Sequence, residues 1–315
     1  MKNQELLLKH IRTKISNKQS LLEEIAQTLS ISYDAAHRRV SGKTKFTIEE
    51  TIALCNHYSI SMDQLFLNGN NYILEKTKTI KSVLDFKDYL SNSVQILNRY
   101  KSAPSTAFYS AKDIPLHYTI GGSLLSKFKL YVWISMLNAE QNNKFEHFSL
   151  NTSMLEESSQ LITIFNSVNR IEIWNDTTIN SSLQQLMYFF EAGLINFDNA
   201  LLVLEEIKQI VEKVEQLTQS KKTNFELFYN ELLLLNNTVL FTNTDDTHYF
   251  IPHNMLSYYV TSDKNICNEE QEYIYHQLKN SKSLSNSGTK DQKIFFNRMY
   301  QKIEFYKTKI IQYIE

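Results

Sequence analysis

Between positions 32 and 45 the sequence gathers side chains suited to recognition: Ser32, Tyr33, Asp34, His37 and Arg38, then Lys43 and Lys45 beyond Gly42. At helical spacing Tyr33, Asp34, His37 and Arg38 lie away from Ala35, Ala36 and Val40, so one polar face opposes one apolar face. That face offers hydrogen bonding and positive charge. The charge is concentrated there. Residues 1–46 hold nine Lys and Arg against four Asp and Glu, a local +5, and the remaining chain is 24 basic against 30 acidic, or −6. The net charge of −1 conceals this polarity. Duplex DNA attracts the first segment and repels much of the second.

No catalytic constellation competes with that reading. Gly121-Gly122 precedes Ser123 without the Lys of a phosphate-binding loop. His248 and His253 stand five apart with no carboxylate at a telling offset, and the histidines do not pair at metal spacing. A hydrolase built on two His-x-Lys motifs is excluded, because His117, His248, His253 and His276 all lack Lys two residues on. There is no Gly-x-Ser-x-Gly elbow. Glu191, Glu226 and Glu231 stand as isolated acids of the kind found on solvated faces. The expectation is no enzyme, no metal and no cofactor.

The polar face needs a scaffold, and residues 20–67 supply one of short helices and tight turns. Leu22, Ile25, Ala26 and Leu29 make a helical stripe, with Ser20 and Glu23 spaced as a capping box. Ser30-Ile31-Ser32 breaks that helix, Ile31 plugging the turn and Ser32 capping the next helix, which spans 33–41 and ends at Gly42. A third helix is expected over 47–58 with Ile48, Ile52, Ala53 and Cys55 inward. Ile60, Met62, Leu65 and Phe66 close the bundle. Residues 3–16 form a first helix beneath it, with Leu6, Leu7, Ile11 and Ile15 inward.

Ile25-Ala26, Leu29, Ile31-Ser32, Gly42-Lys43, residues 52–54 and the run from Ser59 to Leu65 resemble the DNA-binding domain of the phage-repressor-like (Xre-type) helix-turn-helix family. The likeness covers about 65 residues of 315. It implies that the helix over 33–41 enters the major groove. Ser32, Tyr33, Asp34, His37 and Arg38 would then be DNA-binding residues, with Lys43 and Lys45 along phosphates. Leu22 stands where that family often has a phosphate-contacting Gln, and Val40 where an acid is common.

The composition suits an ordered protein of two or three domains. It is 42% hydrophobic, with 18 Phe and 18 Tyr. Three Pro and six Gly favour long helices over a turn-rich β fold. Cys55 and Cys267 stand alone, in keeping with a reducing cytoplasm. The chain has neither a long apolar run nor a signal peptide, so a cytoplasmic protein without a membrane span is expected.

Asn68-Gly69-Asn70-Asn71 marks the end of a helix-turn-helix domain over 1–70. A helical connector is expected over 71–104. The rest, 105–315, reads as an α+β sensor or oligomerisation body, which makes the whole fold mainly α with minor β. Within the body, strands are expected at 106–113 and 170–174. Helices are expected at 123–137, 154–168, 179–194, 197–221, 255–260, 269–278 and 291–314. The stretch 225–243 reads as a β-hairpin turning at Asn236-Asn237, and 248–251 as a further strand. The wording of the body resembles the C-terminal region seen in Bacteroidetes helix-turn-helix proteins, which implies a regulator architecture and supplies no ligand.

Two structural choices stay open in the sequence. Phe108-Tyr109, Tyr118, Tyr131, Trp133, Tyr188-Phe189-Phe190 and Tyr258-Tyr259 suit either a core or an apolar pocket. Phe296, Met299, Ile303, Tyr306, Ile310 and Tyr313 follow the spacing of a coiled-coil seam, which serves either a homodimer or packing on the chain's own body. The function expected is a one-component transcription regulator that binds double-stranded DNA as a homodimer and answers to a small-molecule or protein effector. The alternative is an antitoxin-like or phage-defence interaction protein that only autoregulates its operon. Residues 1–70 alone are expected to fold and to bind duplex DNA nonspecifically, with Kd on the order of 10⁻⁴–10⁻⁶ M. A fragment unfolded by circular dichroism would place the body in its core.

Overall fold

Local signals set most helices of the chain. The computed structural model describes residues 2–15, 20–58, 60–62, 65, 74–102, 104–137, 143–150, 154–220, 224–232, 236–254 and 257–313. The expected break at Asn68 to Asn71, Phe66, most of the loop after Leu137, and Met255 lie outside them. The chain forms two compact units, Met1–Ile73 and Leu74–Glu315.

In the first unit four helices follow one another: α1 (Lys2–Lys14), α2 (Leu21–Thr28), α3 (Tyr33–Val40) and α4 (Ile48–His57). Their core is Leu7, Leu8, Ile11, Ile25, Ala36, Leu54, Cys55 and Leu65. Ile31 packs against it from the α2–α3 turn, where Ser30 adopts a φ of +52° and the Ile31 amide donates to the Ala26 carbonyl at 3.0 Å.

Two expectations fail here. Ser20 precedes α2 but makes no side-chain capping bond, and the capping box forms instead at Thr47 and Glu50, opening α4. Ile48 is 73% exposed and Ile52 43%, and Ala53 is exposed too. The cause is Glu50, which faces α3, as the next subsection describes. Ile48 and Ile52 each lie two positions from it, about 200° round the helix, whereas Leu54 falls one turn on and shares its side.

The second unit is built on one eight-stranded sheet in the order β1-β7-β6-β5-β2-β3-β4-β8. The strands are β1 (Glu75–Lys76), β2 (Thr106–Ser110), β3 (Asn169–Trp174), β4 (Phe225–Tyr229), β5 (Thr238–Thr242), β6 (Thr247–Pro252), β7 (Tyr258–Thr261) and β8 (Lys282–Ser283). β2, β3 and β4 run parallel, and the other neighbours are antiparallel. The helices are α5 (Val83–Leu97), α6 (Leu124–Leu137), α7 (Leu155–Ser167), α8 (Asn180–Glu191), α9 (Phe197–Gln219), α10 (Lys264–Lys279) and α11 (Thr289–Gln312). Eleven helices with one sheet make the fold mainly α with minor β among the described residues.

Alternation along the strands separates two cores. Ala107, Tyr109, Trp174, Leu227 and Phe241 join the large core with α5 to α9 and α11. Phe108, Ile173, Leu240 and Tyr249 face the other way, onto Cys267 and Ile274 of α10. α5, expected as part of a connector, brings Phe86, Tyr89, Leu90 and Leu97 into the large core and belongs to this unit.

The expected hairpin is not formed. β4 pairs with β3 and β8, and β5 with β2 and β6. In the sheet β2 and β3 lie between β5 and β4, which puts the two runs three strand spacings or about 14 Å apart. Just before β5, the Asn237 side chain accepts the Asp113 amide at 2.9 Å. A helix expected at 255–260 is also replaced, by β7, whose Tyr258 and Val260 join the large core.

The coiled-coil stripe of α11 is closed by the chain itself. Phe296, Met299 and Ile310 are fully buried and Ile303 nearly so, packed with α9, and Tyr300 donates to Glu215 Oε2 at 2.6 Å. Four of the six stripe residues are therefore core and unavailable to a dimer seam, while Tyr306 is half-buried and Tyr313 is exposed. Phe296→Ala is expected to cost about 3–5 kcal/mol in urea unfolding, and Phe305→Ala, at a 56% exposed position on the same helix, less than about 0.5 kcal/mol.

Candidate nucleic-acid interface

α3 is fixed at both ends and along one side. Ser32 caps it, its hydroxyl accepting the Ala35 amide at 3.3 Å. Ala36 is fully buried, a residue small enough for α3 to sit close on α2. Gly42 follows the helix with a φ of +76°, a conformation that costs a residue with a Cβ more than glycine.

The third tie is Arg39, which sequence reasoning passed over. Its Nε donates to Glu50 Oε2 at 2.8 Å and its Nη2 to Oε1 at 2.6 Å, a two-pronged pair that joins α3 to α4. Nη1 reaches the Ala35 carbonyl at 3.3 Å, and Glu50 Oε2 also accepts the Thr47 amide at 3.0 Å. Both side chains are only 17% exposed. Hydrogen bonding from Arg39 holds the Glu50 carboxyl below its ordinary value, and hydrogen bonding to Glu50 raises the Arg39 guanidinium. The Thr-x-x-Glu spacing at 47–50 was the one local signal that could have singled out Glu50.

With Arg39 turned inward, the outer side of α3 is left to the residues expected there. Ser32, Tyr33, Asp34, His37 and Arg38 are exposed, Tyr33 at 54%. Lys43 and Lys45 are exposed on the loop that follows. The side chains of Tyr33, Asp34, His37, Arg38, Lys43 and Lys45 have no hydrogen-bonding or ion-pair partner among the described residues. The loop folds back on its helix, the Gly42 amide donating to the Arg39 carbonyl at 3.0 Å and the Thr44 amide to the Arg38 carbonyl at 3.0 Å. The structure thus brings an exposed polar helix face and two exposed lysines into one short stretch.

The second unit has polar clusters of a different kind, buried in its own core. Lys129, 1% exposed, donates to Asp113 Oδ2 at 3.2 Å, Ser182 Oγ at 3.1 Å and Gln185 Oε1 at 3.0 Å, so all three ammonium protons are used. Glu172, fully buried, accepts from Tyr118 Oη at 3.1 Å and Trp174 Nε1 at 2.8 Å, with Arg170 Nε 3.0 Å away. Burial acts against the Glu172 carboxylate, but hydrogen bonding from neighbouring side chains and the charge of Arg170 outweigh it and hold the carboxyl below its ordinary value. His117, stacked on Phe165, is pushed by burial down to about 4 and is neutral at pH 7.

At Gly121-Gly122 the following helix start is occupied by the chain's own carboxylate, since Glu206 accepts the Leu124 and Leu125 amides. The aromatic positions are mostly core: Phe108, Tyr109, Tyr131, Trp133, Phe189 and Phe190 are all buried. The cavities beside Trp133 and Tyr109 measure about 20 and 30 Å³, room for a single water at most. Among the described residues no cluster of His, Cys, Asp and Glu could hold a metal ion. No described helix is long and apolar enough to cross a membrane.

Comparison of the chain with known protein families, with curated proteins and with solved structures finds no match. The exposed face of α3 therefore has to be read on its own chemistry.

The Arg39–Glu50 pair has a pH signature. The folded value of Glu50 lies below its ordinary 4.5, so the pair's stability is complete above about that pH and is lost as pH falls through the folded value. Glu50→Gln is expected to cost the first unit about 1–2 kcal/mol near neutrality. It should also flatten the loss of stability below about pH 4.5, read from amide exchange at Thr47 and Glu50 in variant and wild type.

Proposed function

We propose that the chain is a sequence-specific DNA-binding transcription regulator in which α2 and α3 act as a helix-turn-helix pair. α3 enters the major groove and presents Tyr33, Asp34, His37 and Arg38 to base edges. Lys43, Lys45 and the amides around Gly42 lie along the phosphates. One observation carries this reading: α3 uses Arg39 wholly inside the unit and leaves Arg38, its sequence neighbour, exposed beside two free lysines. A helix serving only as scaffold gains nothing from holding such a face clear and fixing it by a cap, an ion pair and a left-handed glycine.

In this reading the second unit receives the signal. The cavities beside Trp133 and Tyr109 are too small for an effector, so the reading places effector or partner binding on the surface of the unit. The cleft between α9 and α11, about 460 Å³ and lined by Leu201, Leu202, Lys208, Ile303, Glu304 and Lys307, has the size of a small-ligand site. Pairing of two copies, which would bring two recognition helices to adjacent half-sites, is assigned to surfaces other than the buried stripe of α11.

Selection of duplexes from a random-sequence library by the full chain supplies the test, followed by titration of variants. Arg38→Ala is expected to cost about 1–3 kcal/mol on the selected duplex and to relax preference at one position. Lys43→Ala is expected to weaken all duplexes alike and to reduce the salt slope by about one. Enrichment of no sequence, with Arg38→Ala binding as wild type, would remove the assignment.

A further inference from the structure

We infer that Gln4, on α1 and far in sequence from α3, is the positioning residue of the phosphate-facing loop; the inference rests on the DNA-binding reading above. Its carboxamide spans the last turn of α3 and that loop. Nε2 donates to the Arg39 carbonyl at 2.6 Å and to the Thr44 carbonyl at 3.1 Å. Oε1 accepts the Phe46 amide at 3.2 Å. The three backbone groups bracket the stretch that carries Gly42, Lys43 and Lys45, so a single side chain holds its entry, middle and exit.

Packing cannot do this work there. The loop borders a cleft of about 480 Å³ whose lining includes Gly42, Lys45 and Phe46 from the loop side and Gln4 and Leu8 from α1. Residues 41–45 are all exposed. Glycine at position 42 widens the backbone choices further. Without Gln4 residues 41–45 keep local hydrogen bonds to the last turn of α3, with Phe46 packed on the core beyond them, and the two lysines lose a fixed bearing toward a phosphate row. The course of the loop is thereby set from α1, which makes α1 part of the DNA-binding device.

The geometry separates this role from base reading. Gln4 acts on the loop and on one carbonyl in the last turn of α3, whereas the outer face of α3 is held by Ser32, Ala36 and Arg39–Glu50. Loss of Gln4 therefore lowers affinity for every duplex and spares preference.

The test uses the full chain with one duplex chosen from a random-sequence library and one of scrambled sequence. Gln4→Ala is expected to weaken both about tenfold, to leave the ratio between them unchanged and to reduce the salt slope by about one. In the Gln4→Ala background, Lys43→Ala should cost clearly less than in wild type, because the lysine is no longer held in place. Faster amide exchange at Phe46 with unchanged exchange across α3 reports the loosened loop directly. Gln4→Glu, which keeps the acceptor for Phe46 and removes both donors, carries the same measurements if the alanine variant does not fold. Binding at wild-type strength by these variants, or an undiminished cost of Lys43→Ala, overturns the inference. A wild-type chain that binds neither duplex is a separate result and overturns the DNA-binding reading itself.

Discussion

The fork between Arg39 and Glu50 governs how the first unit presents itself. A guanidinium offers a planar set of donors that suits a carboxylate, and here two of them go to Glu50 and a third to the Ala35 carbonyl. Once Glu50 must face α3, the rotation of α4 is set, and with it which of its apolar residues reach the core. Leu54 and Cys55 do; Ile48 and Ile52 do not. The same constraint orients α3. Its inward side is spent on Ala36 and Arg39, so Tyr33, Asp34, His37 and Arg38 have only the outer side left.

The second unit answers a different constraint, the burial of both faces of a sheet in which β2, β3 and β4 run parallel. Six helices share one face and α10 alone covers the centre of the other. The aromatic residues are absorbed into this packing, which is why rings that could have lined a pocket leave only cavities of about 20–30 Å³. Buried charge is tolerated where every donor and acceptor is matched. Lys129 is placed among such partners, whereas beside Glu172 the ring nitrogens of His117 and Arg170 Nε are buried without a hydrogen bond among the described residues.

The outer face of α3 could be read from the sequence because its determinants are local. Helical spacing, the Ser32 cap and Gly42 each act within a few residues. Most helices of the body were legible for the same reason, and so were the strands at 106–110 and 169–174. Gln4 gave no such signal, since its partners lie 35 to 42 positions away. Nor did Arg39, whose partner stands on the next helix, 11 positions on.

By itself the sequence determined most of the helices, the Ser32 cap and the polar character of α3, all consequences of backbone geometry and neighbouring side chains. Only the tertiary structure decided what those elements face. Two adjacent apolar runs around Asn236-Asn237 looked like a hairpin, yet β2 and β3 offered each run a better partner across the sheet. The stripe on α11 had the spacing of a seam between copies, yet α9 lay within reach in the same chain. Spacing states that an apolar face must be buried; which surface buries it depends on the chain's path through space.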